Sequence, residues 1–218
     1  MSNLSKKLAN IALEINAIKL NLKQPFTWAS GFKMPIYNDN RLLLCNSKYR
    51  QLISEGFAEL IQQKGFQFDV IAGTATAGIP HATTLADRLE KPLIYVRSSK
   101  KGHGLNNQIE GIVHAGQKVL LIEDLVSTGG SSITAVNAIR DKGGIVDVCF
   151  SIFSYGFPEG EKCFEDAKCK FFSLLTFDVL LEEALKCNYI VGNDKAMLDE
   201  WRLDPFGWGA MNGFPKDS

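Results

Sequence analysis

Residues 118–132 read KVLLIEDLVSTGGSS: an apolar run that ends in two carboxylates, Glu123 and Asp124, then a turn rich in hydroxyls and glycine. Each part has a chemical use. Gly129 and Gly130 let the main chain approach a ligand and adopt positive φ. A helix starting near Ser131 offers amide donors, and Ser127, Thr128 and Ser131 add hydroxyls, so the turn suits a phosphate. The carboxylates cannot bind that phosphate. They suit sugar hydroxyls or, through water, a divalent cation. Phosphate donors beside an acidic pair therefore point to a phosphorylated sugar. The plain alternative is an ordinary strand–turn–helix junction with a serine cap. It is weakened by the adjacent carboxylates, which are costly to bury at the end of an apolar strand without partners.

A second cluster lies upstream, where residues 97–104 read RSSKKGHG and gather Arg97, Lys100, Lys101 and His103. The chain as a whole balances 24 Lys+Arg against 24 Asp+Glu. The cluster is thus a local trap for anions, not part of a general basic surface. Residues 97–117 show no periodicity and hold Gly102, Gly104, Gly111 and Gly116. A connection that long inside a compact domain is a functional lid or a disordered loop. Beside a phosphate cradle the lid reading outweighs a solvated charge run. Competing motifs fail: Gly73 and Gly78 precede Ile79 and Pro80, not a Walker lysine, and Asn107 stands where a dinucleotide fingerprint after Gly102 and Gly104 needs glycine.

The elements that must position these groups alternate between strand and helix. Leu4, Leu8, Ile11, Ile15 and Ile18 share one face of an expected N-terminal helix. A turn-rich stretch with Pro25, Gly31 and Pro35 follows. Ser47 reads as the N-cap of a helix through about Lys64, stopped by Gly65. Short apolar runs then recur as FDVIAG, KPLIYVR, KVLLIED, VDVCFSIFS and KFFSLLTF. Runs of this kind suit strands buried on both faces. Helical patterns IPHATTLADRLE, SSITAVNAIRDKG and FDVLLEEALK lie between or after them. The expected fold is α/β, a Rossmann-like parallel sheet flanked by helices, with ligands bound where strands end. His81 reads as a packing or capping residue and His114 as a surface residue. Trp201 and Trp208 either pack on the body or fray.

Composition excludes several classes. Hydrophobic residues make up 45% and charged residues 22%, which is ordinary for a globular chain. Zero formal charge argues against a nucleic-acid binder. No apolar run is long enough to cross a bilayer. Lys6, Lys7, Glu14 and Lys19 break the N-terminal stretch, which is not a signal peptide. The five cysteines, Cys45, Cys149, Cys163, Cys169 and Cys187, are scattered and never spaced as metal ligands. Free thiols and a cytoplasmic location are expected.

Residues 119–131, VLLIEDLVSTGGS, resemble the phosphoribosyl pyrophosphate (PRPP) signature of type I phosphoribosyltransferases. Residues 97–104, followed by Ile109-Glu110-Gly111, resemble the catalytic loop of the orotate phosphoribosyltransferases in that family. Residues 72–80, AGTATAGIP, resemble its pyrophosphate loop, with Ala77 where a lysine is frequent. Residues 27–38 resemble its N-terminal orotate-binding stretch. Ser98 stands where many members carry lysine and Ala29 where some do, and an arginine used by some members near Ser154 and Tyr155 is missing.

The resemblance implies transfer of a phosphoribosyl group from PRPP to orotate, giving orotidine 5′-monophosphate and pyrophosphate in pyrimidine biosynthesis. It assigns PRPP binding to Arg97, Lys101, His103, Glu123, Asp124, Leu125, Val126, Ser127, Thr128, Gly129, Gly130 and Ser131. Of these, Lys101, Asp124, Arg97 and His103 would carry catalysis. Ser127, Tyr37 and Asn38 would take orotate. Mg²⁺ would be held through PRPP and water near Asp124, with no direct protein ligand. The resemblance also implies a homodimer with shared active sites, and no nucleic-acid or membrane partner. Residues 1–45 would form a small hood, and residues 46–218 the core with a C-terminal helical extension. The alternatives are a phosphoribosyltransferase for another base, or a regulatory protein on the same fold.

Overall fold

A computed structural model describes residues 3–99 and 108–217. The chain divides into two compact units, residues 44–174 and residues 1–43 with 175–218.

The 44–174 unit is built on six strands. They are β5 (Val70–Thr74), β6 (Leu93–Val96), β7 (Ile109–Glu110), β8 (Lys118–Val126), β9 (Ile145–Ser154) and β10 (Lys170–Thr176), the last running two residues past the unit's boundary. Their order is β10-β9-β8-β5-β6-β7. The β5–β6, β5–β8 and β8–β9 pairs are parallel, and the short β7 runs antiparallel to its neighbour β6. The connecting helices are α2 (Ser47–Lys64), α3 (Gly78–Leu89), α4 (Gly130–Asp141) and α5 (Pro158–Asp166). This is the α/β, largely parallel architecture expected from the alternating pattern.

The central strands read as unbroken apolar runs because helices cover both faces. Leu120, Leu121 and Ile122 of β8 are fully buried, each stabilising the fold by roughly 1.5–3 kcal/mol. Ala135, Val136 and Ile139 put the inner face of α4 into the same core as Val70, Val119 and Cys149. Burial pushes the Cys149 thiol upward and that of Cys169 up to about 11, so both act as small apolar residues.

Two boundaries differ from the sequence reading. Asn46, not Ser47, caps α2, its side chain accepting from the Lys48 amide. The first helix, α1 (Asn3–Glu14), stops before Ile15 because Asn16 turns the chain at φ 59, a conformation asparagine tolerates. Ile18 consequently lies in a strand, and the buried face of α1 is Leu8, Ala9, Ala12 and Leu13.

The other unit holds α1, two antiparallel ribbons and the C-terminal helices. The ribbons pair β1 (Ile18–Leu20) with β4 (Ile36–Asn38), and β2 (Phe26–Thr27) with β3 (Lys33–Met34). The helices are α6 (Phe177–Lys186), α7 (Gly192–Leu203) and α8 (Trp208–Met211). The sequence reading attaches residues 175–218 to the core; by contacts they group with residues 1–43. Asn10 of α1 donates to Glu183 of α6 at 3.1 Å. The Trp201 indole donates to the Met34 sulfur at 3.2 Å and stands edge-on to Trp28. Trp201 and Trp208 are both buried, so the aromatic tail is packed rather than frayed.

His81, in the first turn of α3, is 2% exposed, and its Nδ1 has no hydrogen-bond partner among the described residues. Burial, with Arg50 adding to it, lowers its pKa to about 4 from 6.5. The unfolded chain therefore takes up that proton first. The stability contributed by neutral His81 is complete above about pH 6.5 and is lost as pH falls toward 4. The effect is at most about 3 kcal/mol, and His81→Leu is expected to flatten the decline of the urea midpoint over that interval. Equal slopes for both proteins would contradict it.

Candidate active site

Because β5, β6 and β8 are parallel neighbours, their C-terminal ends lie along one edge of the sheet, with Thr74 opposite Val96 and Gly73 opposite Ile122. The turn after β5, Arg97 after β6, and Glu123 to Ser131 at the end of β8 therefore meet there. This is where an open parallel sheet places its ligands.

The two carboxylates have different surroundings. Glu123 is 6% exposed. Its Oε1 accepts from the Thr74 hydroxyl at 2.6 Å and from the Asp124 amide at 3.1 Å, and its Oε2 accepts from the Ser132 hydroxyl at 3.0 Å. Burial pushes its pKa up to about 7; the Thr74 hydrogen bond opposes that shift and the neighbouring Asp124 charge adds to it. Asp124 is half-buried at the strand end.

After Val126 the chain turns through Ser127 and Thr128 to Gly129, at φ +79, and α4 begins at Gly130. A glycine cap has no side chain to close the helix start, so the first amides of α4 are ready donors for an anion. Ser127 and Thr128 are half-buried, and Gly130 and Ser131 are exposed.

The floor of this turn is α5. A Cβ on Gly160 would lie 2.5 Å from the Ser127 carbonyl, and one on Gly129 would lie 3.3 Å from the Phe164 ring. Phe164 in turn stacks on Phe171 at 4.5 Å. Gly160→Ala should thus displace the turn without touching a ligand directly. The expected result is a loss of phosphate or PRPP affinity of about tenfold with a modest fall in melting temperature, since overpacking costs roughly 1–3 kcal/mol. Titration calorimetry beside a thermal melt checks it.

The turn after β5 contains a cis Ala75–Thr76 peptide and leads into α3 at Gly78. The Ala75 amide donates to the Val96 carbonyl at 2.8 Å, tying this turn to β6. A Cβ on Gly78 would lie 2.5 Å from the Thr74 hydroxyl and 2.6 Å from the Ile122 carbonyl. Only glycine allows α3 to start this close to β8.

Arg97 opens the basic loop. Its amide donates to the Gln108 carbonyl at 2.9 Å, the Gln108 side chain donates back to the Arg97 carbonyl at 2.7 Å, and its guanidinium lies 3.6 Å from Glu110. Lys100, Lys101 and His103 lie outside the described residues.

Tyr37 and Asn38 end β4 in the other unit. Tyr37 is exposed beside Phe26, and the Asn38 Oδ1 is buried without a hydrogen-bond partner among the described residues. The residues missed from sequence are Ser132, Gln108 and Gly160, while the hydroxyl of Thr74, in the stretch that resembles a pyrophosphate loop, donates to Glu123. A helix signal was present near Gly160, with Pro158 at the helix start and Glu159 and Glu161 in its first turn.

The phosphoribosyl transferase domain family matches residues 43–163. An orotate phosphoribosyltransferase of Listeria monocytogenes serotype 4b (strain F2365) is 49% identical over 95% of this chain and 99% of its own length. One from Enterococcus faecalis (strain ATCC 47077 / OG1RF) is 46% identical over 96% of this chain and 100% of its own. The crystal structure of orotate phosphoribosyltransferase from Aeropyrum pernix superposes with a TM-score of 0.72 at 29% identity, covering 84% of this chain and 99% of that one. The matching domain model and these relatives, aligned over nearly the whole of both chains, place the chain in the orotate phosphoribosyltransferase family.

Proposed function

We propose that the chain transfers the 5-phosphoribosyl group of PRPP to N1 of orotate, giving orotidine 5′-monophosphate and pyrophosphate in pyrimidine biosynthesis. The observation that carries this reading is the last part of β8, which bears Glu123 and Asp124 and ends at Val126, leading through Ser127 and Thr128 into the glycine-capped start of α4. In the reaction the bond from the anomeric carbon to diphosphate breaks, with the electron pair leaving on oxygen. N1 of orotate, its proton lost, forms the new bond. Positive charge grows on the ribose and negative charge on the leaving group, so catalysis is positioning and charge stabilisation.

Asp124 holds the ribose hydroxyls, with Glu123 behind it. The main chain of Leu125 and Val126 and the donors of Ser127, Thr128, Gly129, Gly130 and Ser131 take the 5′-phosphate. Arg97, Lys101 and His103 neutralise the diphosphate and exclude water that would hydrolyse the activated sugar. For the base the proposal rests on Ser127.

Asp124, half-exposed and next to phosphate donors, suits a hard cation held through water. A Mg²⁺ ion bound with PRPP would supply charge neutralisation at the leaving diphosphate. The protein is proposed to work in the cytoplasm as a homodimer whose basic loop serves the neighbouring subunit. Among the described residues no helix is long and apolar enough to cross a membrane. Pyrophosphate release with PRPP and a panel of orotate, uracil and purine bases tests the reading: orotate should be preferred by at least about 100-fold, because a site built to hydrogen-bond a polar substrate strongly rejects analogues lacking those groups. Equal turnover of another base would overturn it.

A further inference from the structure

Residues 124–131, which carry the proposed ribose and phosphate contacts, run from the last residues of β8 through the turn 127–129 into the start of α4; Glu123 and Ser132 flank them, and those two side chains are hydrogen-bonded at 3.0 Å. The same carboxylate is held on its other oxygen by Thr74, from the end of β5, at 2.6 Å. One buried group therefore ties together the end of β8, the turn that precedes α3, and the first turn of α4. Thr74 is 6% exposed and Ser132 is 1% exposed, so neither hydroxyl is presented to a ligand. The start of α3 presses on Thr74, where the missing Cβ of Gly78 leaves just enough room.

We propose that Thr74 and Ser132 are positioning residues for phosphoribosyl transfer, which clamp opposite oxygens of Glu123 and so hold Asp124 and the phosphate turn in their working geometry. The inference rests on the functional reading above but is not part of it. A buried carboxylate needs donors, and removing one leaves it uncompensated. It must then turn toward other partners, taking the adjacent Asp124 with it. A displacement of about 1 Å at a site that works by positioning costs up to about 100-fold. A hydroxyl with no link to the ligand would instead change only the stability of the fold.

The test compares Thr74→Val, Thr74→Ser, Ser132→Ala and the Thr74→Val/Ser132→Ala double variant, with PRPP affinity by calorimetry, kcat/KM for PRPP, and melting temperature. Thr74→Val and Ser132→Ala are each expected to weaken PRPP binding and kcat/KM about tenfold or more. Thr74→Ser, which keeps the donor, should recover to within about threefold. Because both residues act through one carboxylate, the double variant should lose less than the product of the single losses. Ser132→Ala removes a single oxygen, so it reads the same link if Thr74→Val does not fold. The proposal is overturned by losses that multiply independently, by a failure of Thr74→Ser to recover, or by variants that melt earlier yet bind PRPP as the wild type does. A wild-type chain that binds PRPP but releases no pyrophosphate with orotate overturns the functional reading instead, and leaves the calorimetric comparison standing.

Discussion

Asp124→Ala is expected to lower kcat/KM for PRPP by about 100-fold to 1,000-fold while the protein stays folded, the range seen when one preorganised polar contact to a reacting group is lost. The size follows from location. Asp124 is half-buried at the end of β8, next to the phosphate turn, and Glu123 cannot easily substitute because both its oxygens are already engaged by Thr74, Ser132 and the Asp124 amide. The melting temperature should move little, since the side chain is not part of the core. Steady-state assay beside a thermal melt checks both. A loss under about threefold would remove Asp124 from the chemistry.

The second large effect is expected from Lys101→Ala. The cation is proposed to stabilise the diphosphate as its charge develops, and one such contact typically contributes about 100-fold or more to turnover. Orotate binding should be affected far less, which separates this variant from a general disruption of the site. The same substitution tests sharing between subunits. Mixed dimers of Lys101→Ala and Asp124→Ala chains contain one site built from two intact halves if the loop acts on its neighbour. About a quarter of wild-type activity should then return on mixing, from random pairing with one competent site in two per mixed dimer. No recovery would place the loop on its own subunit's site.

Much of this arrangement is legible in the sequence because its causes are local. An apolar run ended by two acids and a glycine pair reads as a buried strand leading into a helix start, and β8 does lie inside the sheet, between β9 and β5. The alternation around it dictates a parallel sheet. What is hidden depends on contacts between distant segments. Thr74 sits in a string of small residues, AGTATAG, and nothing nearby indicates that its hydroxyl will meet a carboxylate from residue 123. Ser132 reads as one more serine at a helix start. The role of α5 is equally long-range: Pro158, Glu159 and Glu161 mark a helix start, but nothing in the segment indicates that Gly160 will lie against the Ser127 carbonyl. The pairing of α1 with α6 was hidden for the same reason, since neither apolar face names its partner.

The central claim is that an acidic strand end and a glycine-capped helix start together bind an activated, phosphorylated pentose. Titration calorimetry of the purified protein with PRPP in the presence of Mg²⁺ tests it most directly. The predicted result is saturable binding at one site per chain, weakened about tenfold or more by Asp124→Ala, as expected for loss of hydrogen bonds to a charged group. Absence of binding, or equal affinity in that variant, would contradict the account.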